Sequence, residues 1–239
     1  MNNNTNEYFI FIDDSGKLYD NKKFANYTAV VFNNKEKYLN FKKCFRELLK
    51  EINGGKEIKG SKFWSRTSHK NKNKILKLLS EHNIKSFSLM ININKLKNKY
   101  KNDIETERIL NICIAILSQY IINQLNLLNC KISLYIDEQI RKQFNKLNGK
   151  SIENFLNYKS NNDKYTIFSQ LIFRQKNIIF YVKDDCKSHL YSGIMVADKI
   201  ANGINRVYND KNKEVEKYLK IHNITVKKKF WPKVFEEIF

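Results

Sequence analysis

Two short apolar stretches in this sequence each run straight into a carboxylate. Residues 7–13 (EYFIFID) end in Asp13, followed by Asp14, and residues 131–137 (KISLYID) end in Asp137, followed by Glu138. Aromatic and β-branched residues packed into runs of this length predict strands. A carboxylate at the end of an apolar strand is costly to bury unless it is paired or bound to a cation. In open α/β sheets, functional groups collect at one edge, beyond the strand ends. The pattern therefore predicts an α/β fold whose chemistry sits at a single sheet edge.

The segments between and after these strands fill in that plan. DSGKLYDNKK turns the chain, with Gly16 free to take positive φ, and residues 24–32 (FANYTAVVF) predict a second strand that makes a hairpin with the first. Tyr38, Phe41, Phe45, Leu48, Leu49 and Ile52 recur at helical spacing over residues 35–52, and Gly54–Gly55 stop that helix. KEIKGSKFW reads as a loop, followed by a helix over about residues 67–82 and a third strand over 84–93. Residues 103–128 predict a long helix, apolar on most sides and therefore buried. Residues 151–160 read as helical, 165–173 fit neither period clearly, 177–182 (NIIFYV) read as a strand, and 190–208 as a helix. Gly193, Ala197, Ala201 and Gly203 mark the packing side of that last helix. The single proline is Pro232, and no repeat or low-complexity linker divides the chain. One domain over residues 1–239 is expected, with a C-terminal extension from about 210.

Charge bounds the partners. The chain carries 44 Lys and Arg against 24 Asp and Glu, a formal charge of +20, yet only six of the basic residues are Arg. An AT-rich genome overproduces Lys, Asn and Ile, so part of this excess reflects composition rather than function. Its distribution is more informative: residues 35–77 hold 14 Lys and Arg against four Glu, a net +10. A solvated lysine face is the plain account. A phosphate-binding surface is the functional one, and it predicts salt-sensitive binding to nucleic acid. Mean hydropathy is −0.57, and the longest apolar run, residues 109–128, is broken by Asn111, Gln119, Asn123, Gln124 and Asn126, which argues against a membrane span. The first residues, MNNNTNEYF, show no basic segment followed by an apolar one, and the four cysteines form no CxxC pair. A cytoplasmic protein with reduced thiols is expected.

The acids carry the chemistry. Asp13 and Asp14 follow the first strand, Asp137 ends a later one, and Asp198 lies in the helix after the last strand. Singly, each is accounted for as a turn residue or helix cap. Gathered at one edge they would repel one another, and a hard divalent cation relieves that repulsion. Mg²⁺ or Mn²⁺, which prefer oxygen ligands and keep waters, suit such a cluster better than zinc. The histidines and cysteines have no zinc-ligand spacing. Residues 55–62 approach a phosphate-binding P-loop, but end in Ser-Lys and follow a helix instead of a strand.

Four motifs together carry a family resemblance: IDDSG at 12–16, KEIKGSKF at 56–63, YID at 135–137 and KSHLYSGIMVADKIANGINR at 187–206. The chain resembles the domain of unknown function 3800 family, whose members have a ribonuclease-H-like fold, over roughly residues 8–206. Asp14 stands where that family usually has Glu, and Met195 stands where it usually has Gln, three residues before the helical acid. The resemblance implies a three-layer α/β/α architecture with a mixed central sheet. The wider superfamily implies a metal site with one Asp on the first strand, an acid on the helix before the fourth strand, an Asp ending that strand, and an acid in the final helix.

Carried over residue by residue, Asp13, Asp137 and Asp198 match three of these positions, with Asp14 beside them as a further metal candidate. For the helix acid Glu107 fits best, in the first turns of the long helix that leads to the Asp137 strand, and Glu57, in the KEIKGSK segment, is the competing choice; Glu105 lies on a different face. Asp103, Glu105 and Glu107 also suit a helix N-terminus without any metal. The implied chemistry is phosphodiester hydrolysis by two metals about 3.5–4 Å apart, with Asp13 as the bridge. Lys59, Ser61, Lys62, Lys187 and Ser188 are candidate phosphate contacts, His189 a candidate proton shuttle. Trp64, among lysines, is a candidate for stacking on a base, although packing explains it equally well.

The sequence thus predicts a Mg²⁺- or Mn²⁺-dependent nuclease acting on RNA, DNA or a hybrid. The resemblance suggests a setting in mobile elements, phage defence or RNA processing. Two other readings stay open at this point: a nucleic-acid-binding module with weak catalysis, and a metal-dependent phosphohydrolase of a small substrate.

Overall fold

The computed structural model describes residues 6–16, 22–95, 106–127, 129–137, 153, 156 and 178–231. Six strands form one mixed sheet: β1 (Asn6–Ser15), β2 (Phe24–Phe32), β3 (Lys85–Asn92), β4 (Cys130–Asp137), β5 (Ile179–Cys186) and β6 (Val226–Trp231). Their order across the sheet is β5-β4-β1-β2-β3-β6. β1 and β2 form the expected antiparallel hairpin and β3 lies antiparallel to β2. β4 runs parallel to β1, β5 parallel to β4, and β6 parallel to β3.

Side chains alternate across each strand, so the sheet has two apolar faces. Ile10 and Ile12 of β1, with Ile132, Leu134 and Ile136 of β4, pack with the helix α4 (Thr106–Leu125). Phe9 and Phe11 of β1, with Tyr135 of β4, face the other way. That second face is covered by α1 (Lys35–Asn53), α2 (Gly60–Arg66), α3 (His69–Glu81), α5 (Ser192–Asn209) and α6 (Lys213–Ile221). Helices therefore lie on both sides of a mixed sheet.

Local signals explain the helix ends. The Asn34 side chain accepts from the Lys37 N–H at the start of α1, and Gly54 closes it at φ 60°. Ser68 caps α3 through the Asn71 N–H. The segment expected as a loop after Gly55 departs from that expectation: residues 60–66 form α2, because Phe63 and Trp64 turn inward together against α5.

α5 is buried without interruption from Ser192 to Ala201. It lies directly on β1, where a Cβ at Gly193 would stand 2.2 Å from the Phe11 ring, so only glycine permits this approach. The described residues after 210 pack onto the main fold. α6 packs beside α5, and β6 forms the edge strand next to β3 despite its three consecutive lysines. Of the regions read as 151–160 and 165–173, only Glu153 and Leu156 fall within the described residues. Glu153 accepts the Val182 N–H at 2.8 Å and Leu156 joins the core.

Candidate active site

Register brings the strand acids together. Ile12 of β1 pairs with Ile136 of β4, so Asp13 and Asp137 follow side by side on adjacent parallel strands. Alternation turns both toward the α5 face, the face of Phe11 and Tyr135, and turns Asp14 toward the opposite one. Asp198, in the second turn of α5, is brought to the same edge. Asp13, Asp137 and Asp198 are 7%, 3% and 8% exposed. Burial, reinforced by the charges of Asp137, Asp198 and Asp14, raises the Asp13 pKa well above the ordinary carboxylate range. The Asp14 N–H, donating to Asp13 Oδ1 at 2.7 Å, offsets only part of this.

Asp198 is held from two sides. The Gly60 N–H donates to its Oδ2 at 2.5 Å, and Asn202 Nδ2 donates to its Oδ1 at 2.8 Å. A Cβ at Gly60 would lie 2.5 Å from the Asp198 carbonyl oxygen, so glycine is required there. Burial raises the Asp198 pKa, with Lys199, the Gly60 N–H and Lys59 pulling the other way.

The segment from Glu57 to Gly60 is fastened over these acids by Lys199. This ammonium is 1% exposed and donates to Ile58 O at 2.6 Å and Met195 O at 3.0 Å. It also lies over the rings of Phe45 and Phe63. Burial lowers its pKa to about 8, against the opposing pull of Asp198 and Glu57.

On the outer side of the same segment, three side chains form a closed network. Lys59 Nζ donates to Ser188 Oγ at 2.7 Å, and Ser188 Oγ donates to Glu57 Oε2 at 2.9 Å. Lys59 and Glu57 Oε1 are ion-paired at 3.2 Å. Burial acts to lower the Lys59 pKa, but Glu57, Asp198 and Asp137 outweigh it and the net shift is upward. Lys59 is thus a persistent ammonium, a donor of charge and hydrogen bonds rather than a base.

The candidates from sequence divide accordingly. Asp13, Asp137, Asp198, Glu57, Lys59 and Ser188 are grouped at this edge. Glu107 lies in the first turn of α4, the helix over the opposite face, and its side chain lies outside the described residues. Ser61 and Lys62 are exposed on α2, and Lys187 and His189 are exposed around the 3-10 turn Ser188–Leu190. The His189 carbonyl accepts from Arg46 Nη2 at 2.7 Å. Trp64 offers no stacking face: it is 5% exposed, its Nε1 donates to Lys199 O at 2.7 Å, and Gly203 lies against its ring.

No family model matches this sequence. No curated protein matches it. Among solved structures, a chain of the one described as "Structure of the PCNA:RNase HII complex from Archaeoglobus fulgidus" superposes with a TM-score of 0.42 at 11% identity, covering 90% of this chain and 77% of that chain. A score that low carries no argument about function. Among the described residues, no helix is long and apolar enough to cross a membrane.

As placed, no three His, Cys, Asp or Glu side chains among the described residues converge closely enough to hold a metal ion. The donor set nonetheless fits a hard divalent cation in its chemistry. It is all oxygen, buried and negative, and the ammonium groups of Lys59 and Lys199 lie beside it.

Several residues of the site escaped the sequence reading. Lys199 and Gly60 were not among the candidates, and neither were Asn202 and Asn205. Asn205 Nδ2 donates to Ser15 O at 3.1 Å and ties α5 to the turn at Gly16, whose φ is 83°. One signal for Lys199 was present: a lone lysine in a helix otherwise small and apolar around it.

Proposed function

We propose that this protein is a metal-dependent nuclease of ribonuclease-H-like, three-layer fold, and that it belongs to the domain of unknown function 3800 family. One observation carries the reading: Asp13, Asp137 and Asp198 are buried together at one sheet edge, where burial first and the neighbouring carboxylates second raise the Asp13 pKa. Gathering these charges is costly in folding, and a divalent cation would offset that cost.

In this reading Asp13, Asp137 and Asp198 hold Mg²⁺ or Mn²⁺, with Glu57 in preference to Glu107 as the fourth acid. Such a cation, when bound, supplies an activated water and stabilises the leaving oxygen. Lys59 donates to the phosphate, and Ser188 and Glu57 fix the direction of its ammonium. Lys199 and the Gly60 N–H hold that segment against α5. The exposed Lys62 and Lys187 at the rim guide the polymer, which is RNA, DNA or a hybrid. His189, exposed at the same rim, is the candidate proton shuttle. The four free cysteines accord with a cytoplasmic setting.

One observation favours a second reading, a nucleic-acid-binding module of weak activity. Both Asp198 oxygens already accept hydrogen bonds from Gly60 and Asn202. Cleavage of labelled single-stranded RNA, duplex DNA and RNA–DNA hybrid in Mg²⁺ or Mn²⁺, with Asp137→Asn as control, decides. Metal-dependent cutting lost in the variant supports the nuclease; tight binding without cutting in either protein supports the module.

A further inference from the structure

The turn that carries Ser188 is a three-residue piece between β5 and α5. It is closed internally by the Leu190 N–H on Lys187 O at 2.9 Å and the Tyr191 N–H on Ser188 O at 3.1 Å. So short a piece has too few internal hydrogen bonds to fix its own orientation. Lys187, His189 and Leu190 are exposed and add little packing. Tyr191 anchors the far end on the Tyr135 ring, with centroids 5.5 Å apart.

Arg46 supplies a further tie, from α1. Its Nη2 donates to the His189 carbonyl at 2.7 Å and its Nε to Ser192 Oγ at 3.3 Å. Both acceptors are neutral, so the tie is directional rather than a charge pair. The planar guanidinium fork lets one side chain reach the turn and the first residue of α5 together, whereas lysine, a point charge on a flexible stem, does not span both. Ser192 is fully buried, so its end of the tie is fixed. The side chain that this clamp places is Ser188, which accepts from Lys59 Nζ and donates to Glu57 Oε2. The Lys59 side chain is 43% exposed, and an ammonium on a chain of single bonds takes many orientations unless its partners select one. We infer that Arg46 is a positioning residue: by holding the Ser188 turn to α1 and α5, it aims the Lys59 ammonium at the substrate phosphate. The inference rests on Lys59 as the phosphate donor of the proposed nuclease.

The test compares Arg46→Lys, which keeps the charge and loses the fork, with Ser188→Ala, Lys59→Ala and the Arg46→Lys/Lys59→Ala double variant. Ser192→Ala removes one Arg46 acceptor without touching the arginine, and takes over if Arg46→Lys does not fold. The first readout is the carbon–proton NMR signal of Lys59 Cε in the full chain, without metal or nucleic acid. In Arg46→Lys it is expected to move toward its position in Ser188→Ala, and part of the way in Ser192→Ala. The second readout is affinity for labelled single-stranded RNA and duplex DNA without divalent cation, so that no cleavage intervenes. Arg46→Lys is expected to bind roughly threefold to tenfold more weakly than the wild type, and the double variant no more weakly than Lys59→Ala alone. A merely structural arginine would leave the Lys59 signal in place and add its loss to that of Lys59→Ala; either result overturns the inference. A wild type that binds neither nucleic acid overturns the nuclease reading instead, and the Lys59 signal still decides whether Arg46 positions that ammonium.

Discussion

The ammonium of Lys199 reaches from the buried stretch of α5 to the carbonyl oxygen of Ile58, 2.6 Å away, and so joins α5 to the segment that carries Glu57 and Lys59. Replacing Lys199 with Met leaves the Ile58 carbonyl without its donor, at a cost on the order of 1–3 kcal/mol. Relief from burying an ammonium offsets part of this. Denaturant unfolding should show a net loss of stability, and hydrogen exchange should show faster exchange at the Gly60 amide. Unchanged protection at Gly60 would mean that Lys199 does not hold the segment.

Asp13 makes the stability of the metal-free protein depend on pH. Its pKa is raised in the folded state, so at pH values above 3.8, the ordinary value, the folded protein keeps a proton that the unfolded chain has released. Stability should therefore rise on acidification from neutral toward pH 5. Asp198, shifted the same way, adds to the trend. His222, whose pKa burial lowers, contributes the opposite slope. Lys199 adds none here, because its folded value of about 8 leaves it protonated throughout this range. The quantity to read is the difference between the wild type and Asp13→Asn, which should be more stable near neutral pH and flatter with pH. Mg²⁺ should flatten the wild-type curve as well. Equal slopes for the two proteins would refute the assignment.

Gly193→Ala probes how closely α5 approaches the sheet. The added methyl would meet Phe11 at 2.2 Å, and over-packing of a filled interior costs about 1–3 kcal/mol or more. A thermal unfolding midpoint lowered by several degrees is expected, together with loss of whatever activity depends on Asp198 reaching the β1 edge. A midpoint equal to that of the wild type would show that the helix can shift outward at no cost.

Lys59→Ala removes the half-exposed cation beside the acids and leaves Ser188 donating to Glu57. Nucleic-acid binding should weaken, and the slope of log affinity against log salt should fall by roughly one phosphate contact. Titrations at several salt concentrations measure this. An unchanged slope with lower affinity would assign Lys59 to the architecture of the segment instead of to the phosphate.

Much of the sheet and of the acid edge could be read from local pattern. A run such as EYFIFID declares both its strand and the face of its final Asp through alternation alone, because side chains reverse at every residue. The helices of α1 and α5 were visible for the analogous reason, a repeat near 3.6. What local pattern could not supply is anything that depends on which surfaces meet. Trp64 is amphipathic and sits among lysines; only its contact with Gly203 and the Lys199 carbonyl makes it core. β6, with three consecutive lysines, becomes a strand because the free edge of β3 offers its hydrogen bonds. Glu57 joins the acids because the Gly60 N–H and Lys199 bind that segment to α5, across more than a hundred residues of chain. Sequence by itself determined the first five strands, the long helices and where the strand carboxylates lie, since these follow from neighbours along the chain. Tertiary structure alone decided which lysine is buried and that Glu57 joins the strand acids, because those depend on desolvation and on contacts that no short-range period encodes.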